Sequence, residues 1–155
     1  MCFVCGRNND AGLQAAFYEM EDGCLVCLFT PQEVHQSYPG RLHGGIASTI
    51  LDETIGRAIM IGSGGEVWGV TLELTVEYKK PVPLGVELRV IGRIDGESSR
   101  FFSGSGEILL PGGEIAVLAR GRYMKVPIEK IAEFDEAAFG WAVEADGSEP
   151  QSFNY

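Results

Sequence analysis

Histidine and tryptophan each occur only twice in 155 residues, and basic side chains are few, 12 Lys and Arg against 22 Asp and Glu. The formal charge of −10 argues against a nucleic-acid or anionic-membrane partner, because both are polyanions and repel such a chain at long range. Long apolar runs are missing as well, with no stretch near the ~18 residues that a membrane span needs. The opening residues do not follow the charged, apolar and small-residue order of a secretory signal. These absences predict a soluble, cytoplasmic protein that binds neither membrane nor nucleic acid. No internal repeat or low-complexity linker divides the chain, and a 45% hydrophobic composition supplies one core.

Cysteine is scarce but paired. Cys2 and Cys5 form CFVC, and Cys24 and Cys27 form CLVC, with the spacing of a zinc ribbon. Gly6 follows the first pair, as a tight metal knuckle requires. The second pair lies in GCLVCLFTP, which reads as an extended apolar strand. Side chains three apart on a strand point to opposite faces and cannot close on one ion. Free thiols, with no metal and no cofactor, are therefore expected, and a four-cysteine zinc site is the alternative. A reducing cytosol requires no disulfide.

What is present falls into a simple order. GLQAAFYEMEDGCLVCLFTP reads as two strands around the turn EDG, residues 31–44 as loop, and GIASTILDETIGRAIMIG as a helix. EVWGVTLELTVEYKKPV alternates, with Val70, Leu72, Leu74, Val76 and Tyr78 on an apolar face and Thr71, Glu73, Thr75 and Glu77 on a polar one. Three more strands follow, GVELRVIGRI, SSRFFSGSGEILL and EIAVLARGRYMKV, joined by DGES and PGGE. A helix this apolar cannot lie on a surface, so the antiparallel sheet wraps around it in an α+β fold. Residues 1–126 make that domain, opened by a knuckle-like segment over 1–12. In residues 127–155, Ile128, Ile131, Phe134, Ala138 and Trp141 recur at helical spacing and predict a short C-terminal amphipathic helix before a polar tail. Phe17, Trp68, Phe101 and Phe102 either line a pocket or fill the core.

Within YPGRLHGGIASTILDETIGRA, residues 38–58, one acid needs explanation. Glu53 stands four residues before Arg57, the favourable order for a helix ion pair. Asp52 has no base three or four positions away and looks across small and apolar residues, a costly place for a carboxylate and a plausible one for a base or nucleophile. Gly44 and Gly45 fall in the first turn, where backbone N–H groups lack intrahelical partners and can hold an oxyanion. Eight residues of helix put Asp52 roughly 12 Å along the axis from Gly44. If both serve one carbonyl, Asp52 comes from a second copy of the chain.

YPGRLHGGIASTILDE, with TLELTVEYKKPV behind it and CFVCGRNNDAGL ahead of it, resembles the hotdog-fold acyl-CoA thioesterases of the PaaI-like superfamily. The resemblance covers the chain up to about Val126. It implies a central helix wrapped by an antiparallel sheet, subunits joined edge to edge as a homodimer or dimer of dimers, and an acyl- or aryl-CoA substrate. It also implies that Gly44 polarises the thioester carbonyl, that His43 shapes that turn, and that Asp52 of the opposite subunit acts as nucleophile or general base. Gly45, Ser37 and Gln36 would contact substrate or water, and Thr71 aligns where relatives carry a hydroxyl, although its strand alternation groups it with Glu73 on the solvent side; His35 either lines the pocket or sits wet on its loop. Two other readings stay open: an acyl-CoA-binding module without catalysis, and a CoA-thioester hydratase or dehydratase pairing His35 with Asp52 or Glu53.

Overall fold

The computed structural model describes residues 1–61, 63, 67–127 and 130–131. The first hairpin joins β1 (Ala16–Glu19) to β2 (Leu25–Phe29), and Gly23 takes the positive φ of +81° that its turn requires. A 14-residue helix, α1 (Gly44–Arg57), follows and tightens into a 3-10 turn over Ala58–Met60. The chain then lays down β3 (Trp68–Tyr78), β4 (Leu88–Glu97), β5 (Phe101–Leu109) and β6 (Ile115–Val126). Among the described residues these form one antiparallel sheet in the order β1-β2-β4-β5-β6-β3, so β3 crosses to the far edge. This is the fold that the sequence predicts, a sheet curved around one helix. The predicted C-terminal amphipathic helix lies outside the described residues.

Helix α1 packs on β2 through β6, and its Ile50, Leu51 and Ile55 are fully buried. Glycines on the inner face let it sit almost on the sheet backbone. A Cβ at Gly104 would stand 2.6 Å from Ile55 Cγ2, and one at Gly92 would stand 2.7 Å from the Thr54 carbonyl oxygen. Opposite that buried stripe, Ser48, Thr49, Asp52, Glu53 and Arg57 are half-buried, so the helix is amphipathic and not apolar all round. No helix of the described residues is long and apolar enough to cross a membrane.

Strict alternation along β3 fails at one point. The register to β6 pairs Thr71 with Tyr123 but Glu73 with Arg122, leaving Leu72 as the extra residue of a bulge. The bulge inverts the parity upstream of it. Gly69 and Thr71 therefore face the helix, while Leu72, expected inside, is 47% exposed. Phe102 is core, Phe101 is partly exposed, Phe17 lies under the Arg57 guanidinium at 4.5 Å, and Trp68 is half-buried. Cys27 lies in the main core, whereas Cys24 packs with Ile91 and Leu109 in a separate cluster, as the strand geometry requires.

Candidate active site

The loop entering α1 is held by a buried histidine. His35 Nδ1 accepts the Gln32 N–H at 2.9 Å, which leaves Nε2–H to donate to the Ala11 carbonyl at 3.1 Å. Its own carbonyl accepts the His43 N–H at 2.9 Å. Both ring nitrogens are thus used inside the chain, and the ring lies away from solvent. Between these histidines, Gln36 Oε1 accepts the Gly40 N–H at 2.7 Å and the Ser37 N–H donates to the Arg41 carbonyl at 2.9 Å. Gln36 and Ser37 themselves stand exposed.

His43 is the N-cap of α1. Its Nδ1 accepts the Gly45 N–H at 3.0 Å, and its carbonyl accepts from Ile46 and Ala47 at 3.0 and 3.1 Å. Three of the donors that open the helix are therefore taken. The fourth, the Gly44 N–H, makes no hydrogen bond to the chain among the described residues. The Gly44 carbonyl is fixed instead: the Tyr78 phenol donates to it at 2.8 Å, and Ser48 Oγ stands 2.7 Å from the same phenol. The result is a rigid helix start with one backbone donor left over, at the positive end of the helix dipole.

Two turns along, Asp52 is oriented by hydroxyls from two strands. Thr71 Oγ1 donates to its Oδ1 at 2.9 Å and reaches Oδ2 at 3.2 Å. The Tyr123 phenol donates to Oδ1 at 3.2 Å. Glu53, by contrast, pairs with Arg57 Nε at 2.6 Å. Asp52, Glu53, Arg57, Trp68, Thr71 and Tyr123 line one cleft beside the helix. Burial, and next the charge of Asp52, pushes the Tyr123 phenol well above its ordinary range, so it remains a neutral donor.

Of the residues singled out from the sequence, the structure brings Gly44, Gly45 and His43 together at the helix start, and Thr71 to Asp52. It does not bring His35 to either acid. Tyr123 is not singled out from the sequence, and Tyr78 only as an apolar-face strand residue, because each reads as an ordinary strand aromatic. A signal for Tyr123 was present: Gly121 stands two residues earlier on the same face, and Gly56 four residues after Asp52. The ring occupies the slot that these glycines leave, where a Cβ at Gly121 would come within 2.5 Å of it, and it stacks on Phe102 at 4.8 Å.

The sequence profile of the Thioesterase superfamily matches residues 39–116. Acyl-coenzyme A thioesterase THEM4 of Xenopus laevis is 35% identical over 79 residues, which are 51% of this chain and 34% of that protein. The chain thus spans about a third of the length of that curated relative. Among solved structures, the E. coli PaaI protein from the phenylacetic acid degradation operon superposes with a TM-score of 0.66 at 18% identity, over 74% of this chain and 80% of its own. A hypothetical thioesterase from Streptococcus pneumoniae, solved with coenzyme A, gives 0.65 at 21% identity, over 73% and 89%. At such identities the likeness to these two structures is one of fold.

Proposed function

The chain belongs to the thioesterase superfamily, and from that premise we propose that it hydrolyses an acyl- or aryl-CoA thioester to the free acid and CoA, at a site shared by two copies of the chain. The observation that carries this reading is the Gly44 N–H, which has no partner among the described residues. A thioester carbonyl placed there accepts it, and the hydrogen bond strengthens as negative charge develops on the oxygen. Asp52 of a second copy either takes a proton from the attacking water or attacks the carbonyl carbon itself to give an acyl-aspartyl anhydride that water then hydrolyses; both routes break the C–S bond and release the thiol and the free acid. Thr71 and Tyr123 hold that carboxylate in place, with two donors on Oδ1.

The shared site follows from distance and from the sheet edges. Gly44 and Asp52 are roughly 12 Å apart along one helix, too far to serve one carbonyl. Among the described residues the 11-residue β3 is a free edge of the sheet, against only 4 residues in β1 at the other. A long free edge is a template for pairing with another strand. Pairing of two β3 strands gives a homodimer, and back-to-back association of dimers gives a tetramer. Gln36 and Ser37, exposed on the loop entering α1, are the proposed polar contacts for water or acyl group. His43 supports the turn through its cap and carries no proton in the reaction. The hydratase reading loses its partner, since both nitrogens of His35 are engaged within the chain.

The test is release of free thiol from short, long, branched and aryl CoA esters by the wild type and by Asp52→Asn. Turnover of at least one class, lowered ~100-fold or more in the variant with unchanged folding and ligand binding, is the expected result. Binding without turnover in the wild type would instead favour a non-catalytic acyl-CoA module.

A further inference from the structure

The N-terminal knuckle carries a second constellation that hydrolysis does not use. Cys2 and Cys5 are not joined to Cys24 and Cys27, which are buried on opposite faces of the sheet. The fold instead supplies a carboxylate from α1: the ligand atoms of Cys2, Cys5 and Glu53 all lie within 4.8 Å of one another. We propose that Cys2, Cys5 and Glu53 form a site for one thiophilic divalent cation of the zinc class, clamping the knuckle to the central helix.

Three features support this beyond proximity. The first is the backbone of the turn. The Gly6 N–H closes it on the Cys2 carbonyl at 3.0 Å, and a Cβ at Gly6 would stand 2.5 Å from that oxygen, so the residue after the second cysteine has to be glycine. The second is the direction of the donors. The Val4 N–H points at Cys2 Sγ at 3.4 Å and Arg57 Nη2 at Cys5 Sγ at 3.1 Å. Each sulfur thus accepts one N–H, the kind of outer-shell hydrogen bond that orients a metal-binding cysteine. The third is rigidity. Leu13 and Ala15 donate their N–H groups to the carbonyls of Phe3 and Val4, both at 2.8 Å, and Val4 is buried in the core.

Bond lengths of about 2.3 Å to sulfur and 2.0–2.2 Å to oxygen place the ligand atoms of a tetrahedral ion roughly 3.5–3.8 Å apart, which small side-chain rotations reach from here. The charges close as well. Two thiolates and one carboxylate are neutralised by the dication together with Arg57, which stays on Glu53 Oε1 at 2.6 Å. Binding releases the two thiol protons to solvent. Cys2 is exposed, so a water completes the fourth position.

The test uses the full chain, reduced, stripped of metal and titrated with Co²⁺. One equivalent should give the thiolate-to-cobalt charge-transfer band and the intense visible bands of a tetrahedral site, both abolished by Zn²⁺. Cys2→Ser and Cys5→Ser should each weaken binding by at least ~100-fold, and Glu53→Gln should keep the thiolate band but weaken binding by ~10-fold or more. Cys24→Ser should titrate as the wild type. Absence of the band in reduced wild type, an unchanged titration in Cys5→Ser, or an unchanged one in Glu53→Gln would overturn the site. Should a cysteine variant fail to fold, the wild type answers alone: Zn²⁺ should protect Cys2 and Cys5 from alkylation, mapped by mass spectrometry, and equal labelling with and without Zn²⁺ refutes the proposal.

Discussion

Tyr123 takes the part that the sequence leaves empty beside Asp52. From the sequence, Asp52 is a carboxylate among small and apolar neighbours; in the fold it meets two hydroxyls from strands 19 and 71 positions away in the chain. A helical wheel sees only neighbours within the helix, so neither contact was legible, although the acid itself was. Tyr123→Phe keeps the stack on Phe102 and removes only the donor. It should lower kcat by about 10-fold with a smaller change in KM, and cost about 1 kcal/mol of stability by denaturant titration. The same phenol predicts a pH effect. Its native pKa is raised above the unfolded value, so its contribution to stability is complete below pH about 10 and is lost as pH rises beyond that. Urea midpoints followed from pH 9 to 11 should fall more steeply in the wild type than in Tyr123→Phe.

At the scale of the element, the order of strands and helix was readable because each break carries its own punctuation: the EDG turn at Gly23, the prolines after Tyr78, and the PGGE turn whose Gly113 has a φ of +83°. The orientation of β3 was only half readable. Alternation is sound from Leu74 to Tyr78, but a bulge leaves no mark in side-chain type, and it turned Thr71 inward and Leu72 outward. The glycines beneath α1 were equally silent, since a close approach of helix to sheet is a property of their pairing in space. Gly104→Ala should therefore destabilise by about 1–3 kcal/mol or more, because its Cβ would meet backbone, the Arg93 carbonyl oxygen at 2.5 Å, as well as Ile55. Gly112→Ala, with nothing within 4 Å of the added carbon, should shift the midpoint by less than about 1 kcal/mol in either direction. Thermal or urea unfolding of the pair distinguishes tight packing from general glycine loss.

For the whole molecule, the decisive question is whether one chain is a complete catalyst. Gly44 is the first residue of α1, where proline is tolerated, and His43 before it is already extended at φ −65°, ψ 132°. Gly44→Pro should fold, lack the N–H and be inactive, as should Asp52→Ala. In an equimolar mixture that exchanges subunits, about half of the dimers are mixed, and each holds one intact site and one doubly defective site. Activity should recover to roughly a quarter of wild type per chain; a mixture that stays inactive after exchange is shown with tagged chains places both groups in one subunit. The Gly44 donor also has a hereditary consequence. A backbone N–H belongs to every amino acid except proline, so nearly any codon change at position 44 leaves that atom in place. On the proposed mechanism, mutation reaches the oxyanion contact chiefly through its holders, His43, which takes up the neighbouring N–H, and Tyr78, which grips the carbonyl. A deep mutational scan should accordingly find those two positions less permissive to chemically conservative change than Gly44, the proposed polarising donor.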